Sequence, residues 1–519
     1  MASKPPVPDE MASGYFGARR KIGLLVGPLL FLMLLWPPLT PELSPEARSL
    51  LAISMLMAFW WITEAIPMPA TALLPMVLFP FFGILPMKAV TVNYGDEILF
   101  LFLGGFFIAM AMQKWNLHKR LALRIIHLLG TSPRRMVLGF MLATAFISMW
   151  ISNTATTMMM YPITLAVISQ LETSESGHTA ASLHNLRTCL MLSIAYASNI
   201  GGMGTLLGTA PNLIFASNVK KLFPQAPEID FITWASFGIP TVIMFIPLVW
   251  LFMTRVLFPL KMESSPATGA VIADELHKLG RMERGERLTL IIFVLAALAW
   301  IFRIDIDLGL FCIPGWASAF DLQNHVADST VAMVAGLLLF LIPVNWKRGE
   351  FLLDWETAVR VPWGLLLFFG GGLALSAAFV STGLSQWLGE RLQLLSGMPP
   401  LLMILLICAA ITFFTEVNSN TATATIFIPI AAATAQAMQI NPLPLMIAVA
   451  VSSSCAFMLP VATAPNAIIF ASGYVSVPQM AKTGFWFNLI GIFIVTLAIY
   501  FGLEMAFEVD WNQFPEWAR

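Results

Sequence analysis

One polar motif occurs twice inside apolar sequence, with the same neighbours each time. Ser152-Asn153-Thr154 is followed by Ala-Thr and then by Pro162, and Ser419-Asn420-Thr421 is followed by Ala-Thr and then by Pro429. The copies lie 267 residues apart (419 − 152), and the prolines keep that offset (429 − 162). Polar side chains in membrane-type sequence are costly, so the repeated motif indicates two related halves that share a function.

Two glycine pairs repeat with the same offset. Gly104-Gly105 and Gly371-Gly372 lie 267 residues apart (371 − 104). Small residues in membrane helices allow neighbouring helices to approach closely. We therefore predict that both pairs are contacts between helices and not ligands.

Composition places the chain in a lipid bilayer. Hydrophobic residues make up 58% and charged residues 11% of the 519 residues, and the mean hydropathy is +0.80. Soluble domains carry about 25% charged residues. The formal net charge of −1 gives no basic field for nucleic acid. The four scattered cysteines have neither disulfide nor metal-site spacing.

Apolar runs long enough to span or enter a bilayer follow one another along the chain. Two of them, Met136–Ile168 and Leu401–Ala437, are too long for one span, and each holds Ser-Asn-Thr near its middle. A re-entrant helical hairpin fits this length, because its non-helical tip is tolerated only inside protein or beside water. We predict an all-α polytopic membrane protein with about 11 transmembrane helices, two re-entrant hairpins and two inverted repeats. The other runs are Ile22–Leu39, Leu50–Ile66, Ala70–Leu85, Ile98–Met112, Leu190–Ala216, Phe231–Met253, Leu288–Phe302, Ser329–Pro343, Trp363–Val380, Leu445–Ala471 and Phe485–Leu503.

Clusters of Lys and Arg predict which loops face the cytoplasm. With those loops and the basic N-terminus on the cytoplasmic side of the cell membrane, the acidic tail with Glu504, Glu508, Asp510 and Glu516 lies outside, and the halves are inverted. Counting each hairpin as two ordinary membrane-spanning helices gives the same orientation. The distribution of charge therefore does not distinguish re-entrant hairpins from ordinary spans. The predicted units are 1–49 (N-terminus and first membrane helix), 50–260 (first repeat, hairpin near 136–168), 261–287 (cytoplasmic linker), 288–503 (second repeat, hairpin near 401–437) and 504–519 (extracytoplasmic tail). The basic loop residues are Lys114, Lys119, Arg120, Arg124, Arg134, Arg135, Lys261, Lys278, Arg281, Arg284, Arg287, Lys347, Arg348 and Arg360.

A second repeated motif follows each hairpin. Thr209-Ala210-Pro211-Asn212 and Thr463-Ala464-Pro465-Asn466 share the sequence Thr-Ala-Pro-Asn. Glycine and proline interrupt what is otherwise a spanning helix, and proline removes an amide donor, so backbone carbonyls are freed. Neutral oxygens from Ser, Thr, Asn and the backbone suit Na⁺ and suit zinc or copper poorly.

The hairpin tips also predict an anion site. Helix N-termini favour negative charge, whereas a dianion that enters a dry pocket loses hydration worth several kcal/mol or more. Neither motif holds Arg or Lys to offset this loss, so an anionic substrate requires bound cations there. Interhelical hydrogen bonding is the structural alternative for each single residue, but packing does not require the same polar pattern twice.

Two carboxylates lie at or inside apolar runs. Glu64 ends one run and Glu416 adjoins the second Ser-Asn-Thr motif. Intramembrane carboxylates can carry protons. The structural alternative for Glu416 is a buried carboxylate that backbone amides or a basic partner hold in place.

At these motifs the chain resembles the divalent anion/sodium symporter family, which includes the sodium-coupled dicarboxylate, citrate and sulfate carriers. The resemblance runs from about Leu50 to Leu503. It rests on both Ser-Asn-Thr copies, both Thr-x-Pro-Asn loops, the segment Trp61-Ile-Thr-Glu64-Ala-Ile-Pro67 and the Thr415-Glu416 pair.

The resemblance implies two sodium sites and one substrate site. One sodium site would use Ser148, Ser152, Asn153 and the carbonyl of Gly208. The other would use Thr415, Ser419, Asn420 and the carbonyl of Ala462, with Asn418 nearby. The substrate site would use Ser152, Asn153, Thr154, Thr209, Ser419, Asn420, Thr421, Thr463 and Ala464.

The resemblance also implies a homodimer in which a transport part moves against a scaffold as an elevator. This chain departs from many relatives, because Ala210 and Ala464 stand where those relatives have the first of two prolines. Residue 464 would lie beside the substrate, so the departure bears on specificity. Some members of the family exchange substrates without sodium.

We predict a secondary transporter that couples inward sodium flow to uptake of C4-dicarboxylates such as succinate, malate or fumarate, with no organic cofactor. Sulfate or citrate symport, sodium-independent dicarboxylate exchange and a passive anion channel are the alternatives. An enzyme ranks last, because the sequence has no HExxH motif, no Ser/His/Asp set and no paired carboxylates within one motif.

Overall fold

The computed structural model describes most of the chain. The described residues are 18–36, 40–130, 132–173, 180–260, 266–307, 312–384, 386–387, 398–507 and 513–519. Residues 1–17 of the predicted N-terminal unit, residues 261–265 of the predicted linker and Glu508 and Asp510 of the predicted tail lie outside the described residues.

Helices dominate the first half of the chain. A 3₁₀ turn, Val92–Gly95, precedes the sixth helix, and a π turn, Met253–Leu257, extends the twelfth. The helices are α1 Ala18–Leu34, α2 Pro45–Thr63, α3 Met68–Thr71, α4 Leu74–Phe81, α5 Met87–Thr91, α6 Glu97–Lys114, α7 Leu117–Leu129, α8 Pro133–Ser148, α9 Asn153–Thr173, α10 Ala180–Gly202, α11 Ala210–Leu222 and α12 Phe231–Phe252.

The second half is also helical, with two short antiparallel strand pairs. The strands are β1 Ile306–Asp307 with β2 Cys312–Ile313, and β3 Pro343–Asn345 with β4 Glu350–Phe351. The helices are α13 Pro266–Lys278, α14 Arg284–Ile301, α15 Trp316–Ala319, α16 Asp328–Leu341, α17 Trp355–Ala358, α18 Trp363–Thr382, α19 Pro400–Thr415, α20 Asn420–Ala437, α21 Pro442–Ser452, α22 Ala464–Ala471 and α23 Val477–Phe507.

Length and composition suit several helices to a membrane. In the part of the chain that the structure describes, 4 helices are long and apolar enough to cross a bilayer: Met87–Lys114, Phe231–Leu257, Trp363–Thr382 and Val477–Glu504. Shorter apolar helices, such as Pro400–Thr415, accompany them. The predicted all-α membrane fold is confirmed, and the number of spans stays a prediction.

Both Ser-Asn-Thr motifs lie where two helices join. α8 ends at Ser148 and α9 begins at Asn153, while α19 ends at Thr415 and α20 begins at Asn420. We call α8–α9 the first hairpin and α19–α20 the second. Re-entry of each hairpin into one membrane face stays a prediction, but the non-helical tips are where the sequence places them.

The helices form two packed groups. The site-bearing group contains both hairpins, α10–α12 and α21–α23, which pack against one another. The supporting group contains α1–α6, α14, α16 and α18. The predicted unit boundaries at residues 50 and 504 fall inside helices, because α2 begins at Pro45 and α23 continues to Phe507.

Both glycine pairs lie at close helix contacts, as predicted. A Cβ atom on Gly104 would overlap the backbone of Ala332 in α16, and one on Gly371 would overlap the backbone oxygen of Ala72 after α3. Both clashes are with backbone, which side-chain rearrangement does not relieve. The first glycine of each pair therefore permits close packing within the supporting group.

Gly371→Ala is expected to destabilise the protein by about 1–3 kcal/mol, because overpacking at a backbone contact displaces α18 from α3. The measurement is the thermal unfolding midpoint of the purified protein in detergent. Gly95→Ala is the control, because a Cβ on Gly95 meets nothing within 4 Å. Equal midpoints for the two variants would contradict this assignment.

A buried ion network joins the two groups. Arg303, which is 1% exposed, donates from Nε to Asp328 Oδ1 at 2.7 Å and from Nη2 to Asp230 Oδ2 at 3.4 Å. Asp328 Oδ2 accepts from the backbone N–H of Phe231 at 2.6 Å. The N-terminus of α12 is thereby tied to α14 and α16.

Candidate cation and anion site

The tip of the first hairpin holds a compact set of oxygen atoms. Ser148 Oγ lies 2.7 Å from Asn153 Oδ1 and 2.8 Å from the backbone oxygen of Ser198 in α10. Ser152 Oγ accepts from the N–H of Ala155 at 3.4 Å in the first turn of α9. These bonds fasten the tip to α10 and orient the Asn153 side chain.

The tip of the second hairpin repeats this geometry. Thr415 Oγ1 lies 3.0 Å from Asn420 Oδ1 and 2.9 Å from the backbone oxygen of Ser453, next to the end of α21. A hydroxyl at the end of one arm thus meets the amide oxygen of the next arm in both halves. The sequence repeat is therefore also a repeat of hydrogen bonds.

The asparagines of the two Thr-Ala-Pro-Asn motifs form hydrogen bonds across the interruptions in the broken helices. Asn212 Nδ2 donates to the backbone oxygens of Gly202 at 3.0 Å and Thr205 at 2.7 Å. Asn466 Nδ2 donates to those of Ala456 at 3.2 Å and Leu459 at 3.1 Å. The interruption frees carbonyls, as the sequence predicts, and each asparagine occupies two of them.

Oxygens of the first half converge beside Gly202. A Cβ atom at Gly202 would lie 2.5 Å from Asn153 Oδ1 and 3.2 Å from the backbone oxygen of Gly208. Because Gly202 has no side chain, this amide oxygen and this carbonyl oxygen can both pack closely against its backbone. Uncharged oxygen ligands of this kind fit a hard monovalent ion such as Na⁺.

Three of the predicted sodium ligands lie behind the pocket wall. Ser148 and Thr415 are fully buried at the ends of α8 and α19. Asn418 donates from Nδ2 to Thr423 Oγ1 at 3.3 Å, and its Oδ1 is buried without a hydrogen-bond partner among the described residues. That free oxygen leaves Asn418 able to act as a ligand.

A pocket of about 370 Å³, which we call the central pocket, lies between the two tips. It brings together all the other predicted site residues from both halves. Those lining residues are Ser152, Asn153, Thr154, Gly208, Thr209, Ser419, Asn420, Thr421, Ala462, Thr463 and Ala464. Residues that the sequence analysis did not select for the site also line it: Glu64, Phe102, Phe106, Asn199, Leu207, Ala210, Pro362, Leu365, Val461 and Pro465.

Asn199 is the most informative residue that sequence reasoning missed. Its Nδ2 donates to the backbone oxygen of Ala456 at 3.1 Å and to Thr463 Oγ1 at 3.4 Å, and its Oδ1 accepts from Asn153 Nδ2 at 3.4 Å. This side chain therefore joins the first tip to the broken helix of the second half. Its position after Ser198 in the first broken helix is the signal that could have found it.

Four helix N-termini meet at the central pocket. α9 begins at Asn153, α11 at Ala210, α20 at Asn420 and α22 at Ala464, and all four residues line the pocket. Their backbone N–H groups and positive dipole ends favour an anion. No Lys or Arg is among the lining residues that the structure describes, and Glu64 is their one acidic member.

Glu416 fits the structural alternative, because backbone amides hold it. It is 3% exposed and accepts from the N–H groups of Phe457 at 2.7 Å and Met458 at 2.9 Å, and from Asn488 Nδ2 at 2.8 Å. The N–H of Leu459 donates to its second oxygen at 3.1 Å. No basic partner for it occurs in the described ranges. The carboxylate therefore fastens the second tip to the interrupted segment between α21 and α22.

Solved transporter structures share this fold. The Alcanivorax borkumensis YdaH transporter matches with a TM-score of 0.55 and 15% identity, covering 81% of this chain and 88% of its own. Neisseria gonorrhoeae MtrF, described as one of a class of antimetabolite efflux pumps, matches with a TM-score of 0.54 and 13% identity, covering 80% and 83%. At these identities the likeness shows the fold alone.

Curated relatives are similar over nearly the whole chain. The sodium-dependent dicarboxylate transporter SdcS of Staphylococcus saprophyticus is 44% identical over 494 residues, which cover 95% of this chain and 93% of the relative. SdcS of Staphylococcus aureus is 44% identical over 500 residues, which cover 96% and 94%. Residues 19–506 match the family model for the sodium:sulfate symporter transmembrane region. The chain therefore belongs to the sodium:sulfate symporter family, as the resemblance of its motifs predicts.

Proposed function

We propose that this protein is a secondary transporter that couples sodium entry to uptake of C4-dicarboxylates. The observation that carries the proposal is a pair of matching oxygen clusters and four helix N-termini around one pocket whose described lining has no basic side chain. The relatives that share 44% of the sequence are named sodium-dependent dicarboxylate transporters, which supports the same cargo here.

In this proposal each half binds one sodium ion as cargo. The first ion takes oxygens from Ser148, Ser152, Asn153 and the Gly208 carbonyl. The second takes oxygens from Thr415, Ser419, Asn420 and the Ala462 carbonyl, with Asn418 beside them. The convergence of Asn153 Oδ1 and the Gly208 carbonyl at Gly202 supports the first assignment, and the matching contact of Thr415 with Asn420 supports the second.

The substrate carboxylates lie between the ions, against Thr154 and Thr421 near the helix starts and against the Thr463 hydroxyl. A dianion leaving water loses several kcal/mol or more of hydration. Neutral hydrogen-bond donors alone offset this loss of hydration poorly, so two bound cations supply the missing positive charge. Sodium coupling is then a consequence of a pocket whose described lining contains no arginine or lysine.

The proposed mechanism is of the elevator type in a homodimer, as the family resemblance implies, and the division of the chain into two packed groups supports the moving part and the scaffold. The site-bearing group holds every proposed ion ligand, and the supporting group contributes Glu64, Phe102 and Leu365 to the pocket wall. Glu64 ends α2 and Leu365 lies in the first turn of α18, so the pocket opens where α2 ends and α18 begins. With a cytoplasmic N-terminus, that opening faces the cytoplasm.

Uptake of labelled succinate into proteoliposomes tests the function. We expect accumulation under an inward Na⁺ gradient and none under a K⁺ or proton gradient of equal size. Sulfate and citrate in the same assay test the alternative cargoes. Accumulation that is indifferent to sodium would remove the symporter and favour a dicarboxylate exchanger or a channel.

A further inference from the structure

Three cavities follow one another along α6. The central pocket ends at Phe102, and beyond it a cavity of about 10 Å³, the seam cavity, lies between α6, α11 and α18. A third cavity of about 220 Å³, the outer cavity, lies where α6 begins and α11 ends. It is lined there by Glu97 from α6 and Lys220 from α11.

Shared side chains separate these cavities by single residues. Phe102 lines both the central pocket and the seam cavity, and Ile98 lines both the seam cavity and the outer cavity. In the interrupted segment between α10 and α11, Leu206 lines the outer cavity and the next residue, Leu207, lines the central pocket. Phe102 therefore separates the central pocket from the seam cavity, and Ile98 separates the seam cavity from the outer cavity.

We propose that the outer cavity is the far half of the substrate route, and that Ile98, Phe102 and Leu207 form an apolar seal that closes this route at the seam of α6 and α11. The proposal rests on the transport function proposed above. It assigns sealing to residues outside both repeated polar motifs.

The size and chemistry of the seam fit a closed gate. A cavity needs roughly 10–15 Å³ to hold one water molecule, so the seam cavity is at the lower limit for water and excludes a dicarboxylate. Phe102 is 4% exposed and Leu207 is buried. A Cβ on Gly105 would lie 2.8 Å from Leu207 Cδ2, so the second glycine of the first pair lets Leu207 pack tightly against α6.

Polar groups in the seam indicate that it opens. Ser217 lines the seam cavity. Its hydroxyl oxygen is buried and has no hydrogen-bond partner among the described residues. A buried hydroxyl without a partner is costly in a permanently closed contact. Asn218 Oδ1 accepts from Ser376 Oγ in α18, and Lys220 Nζ of α11 donates to Glu97 Oε1 of α6. Both side-chain bonds run from the site-bearing group to the supporting group and would break when the seam opens.

The central pocket and the outer cavity lie near opposite ends of α11. On α11, Ala210 lines the central pocket and Lys220 lines the outer cavity, so about 15 Å separates them at 1.5 Å per residue. On α18, Leu365 lines the central pocket, whereas Phe369 and Leu373 line the seam cavity further along. The proposal therefore places the opening of the outer cavity on the membrane face opposite the mouth of the central pocket.

Leakage through the seam tests the seal. In sodium-free proteoliposomes loaded with labelled succinate, we expect Phe102→Ala to release succinate at least about tenfold faster than Phe107→Ala, which corresponds to a barrier lowered by about 1.4 kcal/mol. Phe107 is the matched control, because it is a buried phenylalanine of α6 that packs on Phe340 and lines none of the three cavities. Equal release by the two folded variants would overturn the seal.

Thiol accessibility tests the route without requiring a leaky variant to fold. In a background with the four native cysteines replaced by alanine, Ser329→Cys lies in the outer cavity and Val461→Cys in the central pocket. We expect a membrane-impermeant thiol reagent to label these cysteines from opposite membrane faces. Labelling of both from one face would overturn the route. Failure of sodium-driven uptake in the unmodified protein would instead count against the transport function.

Discussion

Asn153→Ala and Asn420→Ala are each expected to abolish sodium-driven uptake of succinate while the protein still folds. Each side chain accepts a hydroxyl contact at a hairpin tip, from Ser148 at 2.7 Å or from Thr415 at 3.0 Å, and lines the central pocket. Alanine removes a proposed sodium ligand and a proposed substrate donor together. The measurement is initial uptake into proteoliposomes under an inward sodium gradient, with folding checked by the thermal unfolding midpoint.

Asn441→Ala is the matched control for this pair. Asn441 is also buried, but its Oδ1 accepts from the N–H of Leu443 at 3.0 Å as the N-cap of α21, away from the pocket. Its loss is expected to cost about 1 kcal/mol of stability and to leave uptake largely intact. Normal uptake by both Asn153→Ala and Asn420→Ala would discard the proposed site.

Glu416→Gln is expected to lower the stability of the protein by about 2–4 kcal/mol and to reduce uptake strongly. The carboxylate accepts from three backbone N–H groups and from Asn488 Nδ2. A glutamine directs an N–H₂ group at one of these donors, so a buried donor loses its acceptor and the tip separates from the broken helix. The measurements are the thermal unfolding midpoint and the sodium concentration that gives half-maximal uptake.

Asn488→Ala separates the contribution of the side-chain donor from that of the backbone donors, because it removes the Asn488 bond and leaves the three backbone bonds to Glu416. We expect its midpoint to fall less than that of Glu416→Gln. Glu64→Gln is the control for the unfolding midpoint alone, because Glu64 lines the central pocket but is exposed and follows the last residue of α2 (φ 51°). A Glu416→Gln variant as stable as the unmodified protein would contradict the structural role.

Much of the fold follows from local sequence. Proline, glycine and the Ser-Asn-Thr repeats mark the points where helices end, and the structure places α8, α9, α19 and α20 accordingly. The sequence predicts the glycine pairs as helix contacts because glycine lacks a Cβ. The backbone of Ala332 in α16 and that of Ala72 just after α3 lie where the Cβ atoms of Gly104 and Gly371 would be. Short-range chemistry decides these features, so the sequence is sufficient for them.

The composition of the pocket wall depends on contacts between residues that are far apart in the sequence. Asn199 joins Asn153 to Ala456, and Glu64 and Phe102 come from the supporting group. No local pattern indicates which face of α6 or which end of α2 meets the hairpin tips. The repeat therefore predicts the polar residues on the two tips, whereas the apolar wall and the link between the halves require the packed structure.

Calorimetric titration of the purified protein with succinate, in NaCl and in KCl of equal ionic strength, tests the central claim most directly. We expect saturable succinate binding in NaCl, none measurable in KCl, and none in either salt after Asn153→Ala or Asn420→Ala. Equal succinate affinity in the two salts would contradict a pocket in which bound sodium ions supply the positive charge for the dicarboxylate.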